Sequence, residues 1–262
     1  RTKALLPVHF AGRSCKMNEI RDIARGENLL IIEDCAHAVE SEYHGRKAGT
    51  FGMAGCFSFY ATKNVVTGEG GMVVTDNRDL AEKIKVLALH GMSHDAWGRF
   101  SDQGYKHYQV VQCGYKYNMM DIQAAMGIHQ LKRVNRLWER RRMIWNTYNA
   151  AFRDLPCRIP PDPEPSTRHA YHLYTPLIDI EKIGKSRDWV LDALTAENIG
   201  VGVHYVPVHV HPFYSNTYGW EKGDFPNAEW IGERTVSLPL SAGLTDDDVQ
   251  DVIEAFAKVL NR

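Results

Sequence analysis

The segment Leu29-Leu30-Ile31-Ile32-Glu33-Asp34-Cys35-Ala36-His37 reads as one strand and its exit. Four consecutive apolar residues stopped by two carboxylates fit a strand buried on both faces, as in a parallel sheet. Upstream, Ala4 to Phe10 predicts a short strand. Met17 to Arg25 predicts a helix, with Met17, Ile20, Ile23 and Ala24 as its inward stripe. Strand, helix, strand is a βαβ unit, which implies parallel pairing. Downstream, Gly55–Tyr60 and Gly71–Thr75 read as two more strands, and Asn77–Leu89 as a helix with Leu80, Ile84, Leu87 and Ala88 on one face.

Further out, His90 to Lys116 has no clean period and holds His90, His94, Trp97, Tyr105, His107 and Tyr108. A long aperiodic segment rich in aromatic residues has little core of its own, and its residue types suit an interface. Asp121 to Leu155 then predicts one long or kinked helix. The stretch 156–165 contains five prolines and cannot continue it. Beyond lie an expected strand over 171–178, a helix over 186–197, a strand over 201–206, a helix near 228–234 and a short strand near 236–238. Thr245 with Asp248 marks the start of a last helix by a capping box. The predicted organisation is residues 1–155, a proline-rich linker 156–170, and a small α+β domain 171–262.

Lys plus Arg is 31 and Asp plus Glu is 32 among 262 residues. That balance offers no global basic surface for a nucleic-acid backbone. No apolar run approaches the ~20 residues of a membrane-spanning helix. Cys15, Cys35, Cys56, Cys113 and Cys157 are odd in number and form no C-x-x-C, so free thiols in a reducing, cytoplasmic setting are expected. No signal peptide is visible at Arg1. The absence of an initiator Met suggests a processed chain or a fragment.

Asp34 stands at the end of a parallel strand, where ligands gather in such sheets. A carboxylate there can hold a cation or a protonated ring nitrogen; it can also be an ordinary helix N-cap. Lys63 follows the apolar strand in Phe57-Ser58-Phe59-Tyr60-Ala61-Thr62-Lys63-Asn64, ahead of Thr67-Gly68-Glu69-Gly70-Gly71. A lysine beside buried surface has a lowered pKa and can form a Schiff base or act as a base. An acid at one strand end, then a hydroxyl and an amine after the next strand, is the set a pyridoxal phosphate site needs. His204, His209 and His211 suggest a metal only weakly, since Val206-Pro207-Val208 interrupts them and no Cys or carboxylate stands at ligand spacing in the sequence. No metal is expected.

These stretches, with Gly45-Arg46-Lys47-Ala48-Gly49-Thr50-Phe51-Gly52, Gly114-Tyr115-Lys116-Tyr117-Asn118, Val203-His204-Tyr205 and Ser237-Leu238-Pro239-Leu240, resemble the DegT/StrS sugar aminotransferases of the fold-type-I pyridoxal phosphate superfamily. The resemblance implies an α/β fold: the C-terminal part of a large domain with a mainly parallel sheet, plus a smaller α+β domain. It implies that Lys63 carries the cofactor as a Schiff base, Asp34 pairs with the pyridine nitrogen, Ala36 packs on the ring, His37 lies near the ring hydroxyl and Ser58 contacts the phosphate. Lys116, where many members have Asn, or Asn118 would reach the phosphate of a neighbouring subunit in a homodimer. His204 and Tyr205 would approach a nucleotide-linked ketosugar, with glutamate as amino donor. Sugar dehydratases of the same family carry histidine in place of the lysine, so Lys63 favours amine transfer. The family has a segment ahead of the strand that opens this chain, with a phosphate-binding turn at a helix start. Its absence here makes a truncated, non-catalytic homologue the rival reading.

Overall fold

The computed structural model describes residues 1–93 and 108–261. They form two compact units, Arg1–Val134 with Ser166–His169, and Asn135–Pro165 with Ala170–Arg262.

The first unit is built on a four-stranded sheet, β1 (Ala4–Leu5), β2 (Leu30–Asp34), β5 (Ala54–Ser58) and β6 (Gly71–Val74), in that spatial order. β1 pairs parallel with β2, β2 parallel with β5, and β5 antiparallel with β6. The βαβ opening is therefore real, and its crossover is α1 (Met17–Gly26). Met17 and Ala24 are buried against Ile31, Tyr43 and Phe51, with Ile20 beside them. Ile23 is 57% exposed, against expectation. Met17, Ile20 and Ala24 already fill the inward stripe of a 3.6-residue period, which turns position 23 away. The first strand is also shorter than expected, with only Val8 bridging Asp34 beyond Leu5. A small sheet of β3 (Glu42–Tyr43), β4 (Arg46–Lys47) and β8 (Thr167–Arg168) escaped the sequence reading. α2 (Arg78–Ala88) is capped by Asn77, whose side chain accepts from the Leu80 N–H.

Glu33 is the polar centre of this unit. It is fully buried inside the apolar strand. Its carboxylate accepts from the backbone N–H of Gly49 (2.8 Å), Phe51 (2.7 Å) and Gly52 (2.8 Å) and faces His9 Nε2 at 3.1 Å. The Cys15 N–H donates to His9 Nδ1, which leaves Nε2 as the nitrogen bearing hydrogen toward Glu33. Burial alone would raise the Glu33 carboxyl, but the bonds from His9 and the three backbone groups hold it below the ordinary carboxylate range. The loop reaches Glu33 by lying directly on β5. A Cβ on Gly55 would stand 2.3 Å from Gly49 Cα, and Gly49 itself has φ +86°. Only glycine satisfies both demands.

α3 (Asp121–Phe152) is one continuous helix. The division of the chain into units falls inside it, between Val134 and Asn135, not at the prolines. Ile144, Trp145, Tyr148 and Phe152 are buried with Tyr174, Ile178, Val190, Leu194, Val252 and Phe256 in the core of the second unit. The proline segment is held to the same helix, since Tyr174 OH donates to Asn149 and the Asn149 amide donates to Asp162. α5 (Arg187–Ala196) begins at the Ser186 cap, and α8 (Asp246–Leu260) at the predicted Thr245–Asp248 capping box. α7 (Pro226–Gly232) stands near its expected place, and α6 (Pro212–Tyr218) was not anticipated. The strands expected over 171–178 and 201–206 shrink to a pair of residues, β9 (Leu177–Ile178) against β7 (Cys157–Arg158), and to single bridges Tyr174 to Leu238 and Gly202 to Ser237. Pro176 and Pro207 have no N–H to continue a ladder.

All five cysteines are free. Among the described residues no helix is long and apolar enough to cross a membrane.

His169 yields a pH prediction. It is 4% exposed, and burial, aided by Arg13, lowers its pKa to about 3. The unfolded chain takes up this proton near pH 6.5 while the folded chain does not. Stability from this site is therefore complete above ~6.5 and declines as pH falls toward 3, by about 2 kcal/mol between pH 6.5 and 5. Denaturant midpoints measured across that range should fall less steeply for His169→Gln than for the parent; an unchanged slope would refute the buried neutral imidazole.

Candidate active site

Asp34 ends β2 and stands in register with Cys56 on β5, so Asp34 and Ser58 share the carboxyl edge of the parallel pair. Asp34 is not a helix cap. Its Oδ1 accepts from the Ala36 N–H at 2.9 Å, and the chain turns through Cys35–Ala38 with no helix following. That turn fixes the carboxylate and presents Ala36, half-buried, beside it. His37 is buried, and its Nδ1 accepts from the Ala11 N–H at 3.2 Å.

Past Ser58 the chain makes a loop closed by backbone bonds. Lys63 N–H donates to Tyr60 O at 2.9 Å and Thr67 N–H to Phe59 O at 2.9 Å, with Val65 fully buried within it. Lys63 is half-buried. Burial holds its ammonium below the usual lysine range, and the Asp34 carboxylate opposes that shift. The lysine and the acid thus feel one another across the strand ends. Burial, and then Asp34, also push the Cys56 thiol up. Ser58 Oγ has one long contact, 3.4 Å from the Tyr60 N–H.

The remaining predicted residues lie elsewhere. Lys116 Nζ donates to Asn118 Oδ1 at 2.5 Å, so the two form a pair of their own, and Lys116 is exposed. Their segment runs beside the end of α2, where Tyr115 N–H donates to Leu87 O and Tyr117 N–H to Ala88 O. The Tyr115 and Tyr117 rings stack at 4.9 Å and are 56% and 75% exposed. His204 and Tyr205 belong to the second unit. His204 Nδ1 meets Ser237 Oγ at 2.6 Å, and its ring stands edge-on to Tyr205. His94, Trp97, Tyr105 and His107 lie outside the described residues.

Two groups of histidines bear on metal binding. His209 is buried against Glu229 at 2.8 Å, a carboxylate that sequence spacing did not reveal, while His204 has its own hydroxyl partner. The ligand atoms of His9, Glu33 and Cys35 lie within 4.8 Å of one another. Glu33 already takes four donors and His9 Nδ1 a fifth, so this is a hydrogen-bonded core rather than an open ligand set. Sequence reasoning missed Glu33. The one signal was an acid inside an apolar strand, which must find donors when buried.

A fixed carboxylate, a desolvated amine, a small flat-packing alanine and a hydroxyl at the carboxyl edge of a mostly parallel sheet suit the ring nitrogen, aldehyde, ring face and phosphate of pyridoxal phosphate. These residue types are compatible with a pyridoxal phosphate site. Residues 1–257 match the DegT/DnrJ/EryC1/StrS aminotransferase family, and the chain belongs to it. It is 49% identical over 261 residues to the spore coat polysaccharide biosynthesis protein SpsC of Bacillus subtilis, covering 99% of this chain and 67% of SpsC. Among solved structures it is similar to PseC of Helicobacter pylori, an aminotransferase involved in the biosynthesis of pseudoaminic acid. That match has a TM-score of 0.88 at 28% identity and covers 100% of this chain and 67% of PseC. It is also similar to Spr1654 of Streptococcus pneumoniae in its PMP form, with a TM-score of 0.88 at 29% identity over 99% of this chain and 70% of that one. Spr1654 is known in a PLP form as well, and pyridoxal phosphate is the cofactor these relatives support. The chain thus spans about two thirds of the length of each relative.

Proposed function

We propose that this chain carries the amine-transfer site of a sugar aminotransferase, which moves an amino group from glutamate to the ketone of a nucleotide-linked sugar. The observation that carries the reading is the half-buried Lys63, five residues past the end of β5, within electrostatic reach of Asp34 at the end of the neighbouring parallel strand β2. Pyridoxal phosphate, when bound, supplies the electron sink that lets a C–H bond beside nitrogen ionise. Asp34 provides the fixed negative charge that keeps a ring nitrogen protonated. Lys63, with its lowered pKa, is more often neutral than a solvated lysine, so Nζ can attack a carbonyl carbon and later act as base. As base, Nζ takes the proton from the α-carbon of the amino donor and returns it to the adjacent reacting carbon. Ala36 would pack on the ring face, His37 would lie near the ring hydroxyl and Ser58 would contact the phosphate. His204 and Tyr205 meet the sugar nucleotide. Lysine at 63, where dehydratases have histidine, favours transfer over dehydration. We further propose a cytoplasmic homodimer in which Lys116 and Asn118 serve the neighbouring subunit's phosphate. The five free thiols and the exposed tyrosine stack support those last points.

Asp34→Asn in the whole protein tests the reading. Loss of the charge that Asp34 would set against the ring nitrogen is expected to cost about 3–5 kcal/mol. Expressed at the transition state, that slows transamination by ~10²–10⁴-fold with the circular dichroism spectrum unchanged. Near-normal turnover would sink the role of Asp34.

A further inference from the structure

We propose that Glu40 is a positioning residue for Lys63, acting through Asn64. The inference rests on the reading of Lys63 above. Glu40 is 3% exposed and lies three residues past His37. Its backbone is fixed on both sides. Ala38 N–H donates to Cys35 O, Ser41 N–H to Ala38 O and Ala48 N–H to Ser41 O, while Ser41 Oγ donates to Gly12 O at 2.7 Å. Glu40 is therefore a rigid extension of the turn that carries Asp34, Ala36 and His37.

Asn64 directly follows Lys63, and its amide Nδ2 donates to Glu40 Oε2 at 3.0 Å. The backbone bonds of the lysine loop tie it to Phe59 and Tyr60, the two residues that follow β5. They do not tie its middle to the Asp34 turn; the Asn64 to Glu40 bond does. A bond to an ionised acceptor is about twice as strong as a neutral one, and a carboxylate is costly to bury without donors. The link joins the segment bearing the acid to the segment bearing the amine. It fixes how Nζ stands toward Asp34, and misplacement of a reacting group by about an ångström can cost ~10²-fold.

The test uses the whole protein with pyridoxal phosphate and three readouts. These are the rate at which borohydride fixes the cofactor on Lys63, the pH midpoint of the bound cofactor's visible absorbance, and the melting temperature of the apoprotein. Glu40→Ala and Asn64→Ala should each slow capture at Lys63 about tenfold and move the absorbance midpoint. The double variant should lose less than the product of the two single losses, because both remove the same Asn64 to Glu40 bond. Glu40→Gln, whose amide oxygen can still accept from Asn64, should restore most of the rate. Asn64→Ala lies on a half-buried loop and tests the link if Glu40→Ala does not fold. Additive losses, or variants that lower only the melting temperature, overturn the proposal while leaving Lys63 in place. A label on another lysine in the parent protein overturns the reading of Lys63 and this inference with it.

Discussion

The Lys63→Ala form of the whole protein is expected to lose transamination by at least ~10³-fold, since one residue supplies both the nucleophile and the general base. Borohydride should fix pyridoxal phosphate to a single peptide of the parent, the one containing Lys63, and to none in the variant. A label on a different lysine would end the assignment. The variant should not be less stable. The folded chain penalises the Lys63 charge, because burial depresses its pKa. That penalty is complete below the folded pKa and vanishes above the unfolded value near 10.4. The apo variant should thus melt no lower than the parent at pH 7, and any advantage should close as pH rises toward 10. An inactive protein with an intact fold separates a chemical role from a structural one.

The second large effect concerns Glu33, one residue before the candidate acid yet with no chemistry of its own. Glu33→Ala strands three backbone N–H groups and His9 Nε2 in a fully buried place. Breaking such a set by removing one partner costs about 3–5 kcal/mol, a large part of the ~5–15 kcal/mol that stabilises a domain. Chemical denaturation should show that loss. Cofactor capture should weaken too, since the loop from Gly49 to Gly52 and the turn after Asp34 both hang on this strand. A loss below about 1 kcal/mol would mean that water reaches the stranded groups. Gln at this position is not a neutral replacement, because its amide would point a donor at donors.

Much of this was legible along the chain. The apolar run Leu29–Ile32 announced a parallel strand, but not one buried on both faces: Ile31 is buried while Leu30 on the other face is 50% exposed. Asp34 at its end marked an edge where ligands gather in such sheets. Ser58 and Lys63 after the next strand completed a set of residue types that few chemistries need. Ser186 and the Thr245–Asp248 box marked helix starts correctly, because a cap acts within a single turn. The prolines of 156–165 misled on where the units divide. A helix has no memory of its neighbours, and α3 crosses from one unit to the other because the side chains from Ile144 to Phe152 find a core there.

The amino-acid sequence by itself determined the opening strand–helix–strand order, the capping box of the last helix, the free thiols and the resemblance of the strand-end residues to one chemistry. Those signals are local, set by side-chain periodicity and by bonds within about four residues. The tertiary structure alone decided the rest. It turned Glu33 from an apparent strand terminator into a buried acceptor for groups at positions 9, 49, 51 and 52, and joined Glu40 to Asn64 across 24 residues. It also lowered the pKa of Lys63 by burial. Burial and distant hydrogen-bond partners depend on which segments the packed chain brings side by side, and no window of sequence contains both ends of such a contact.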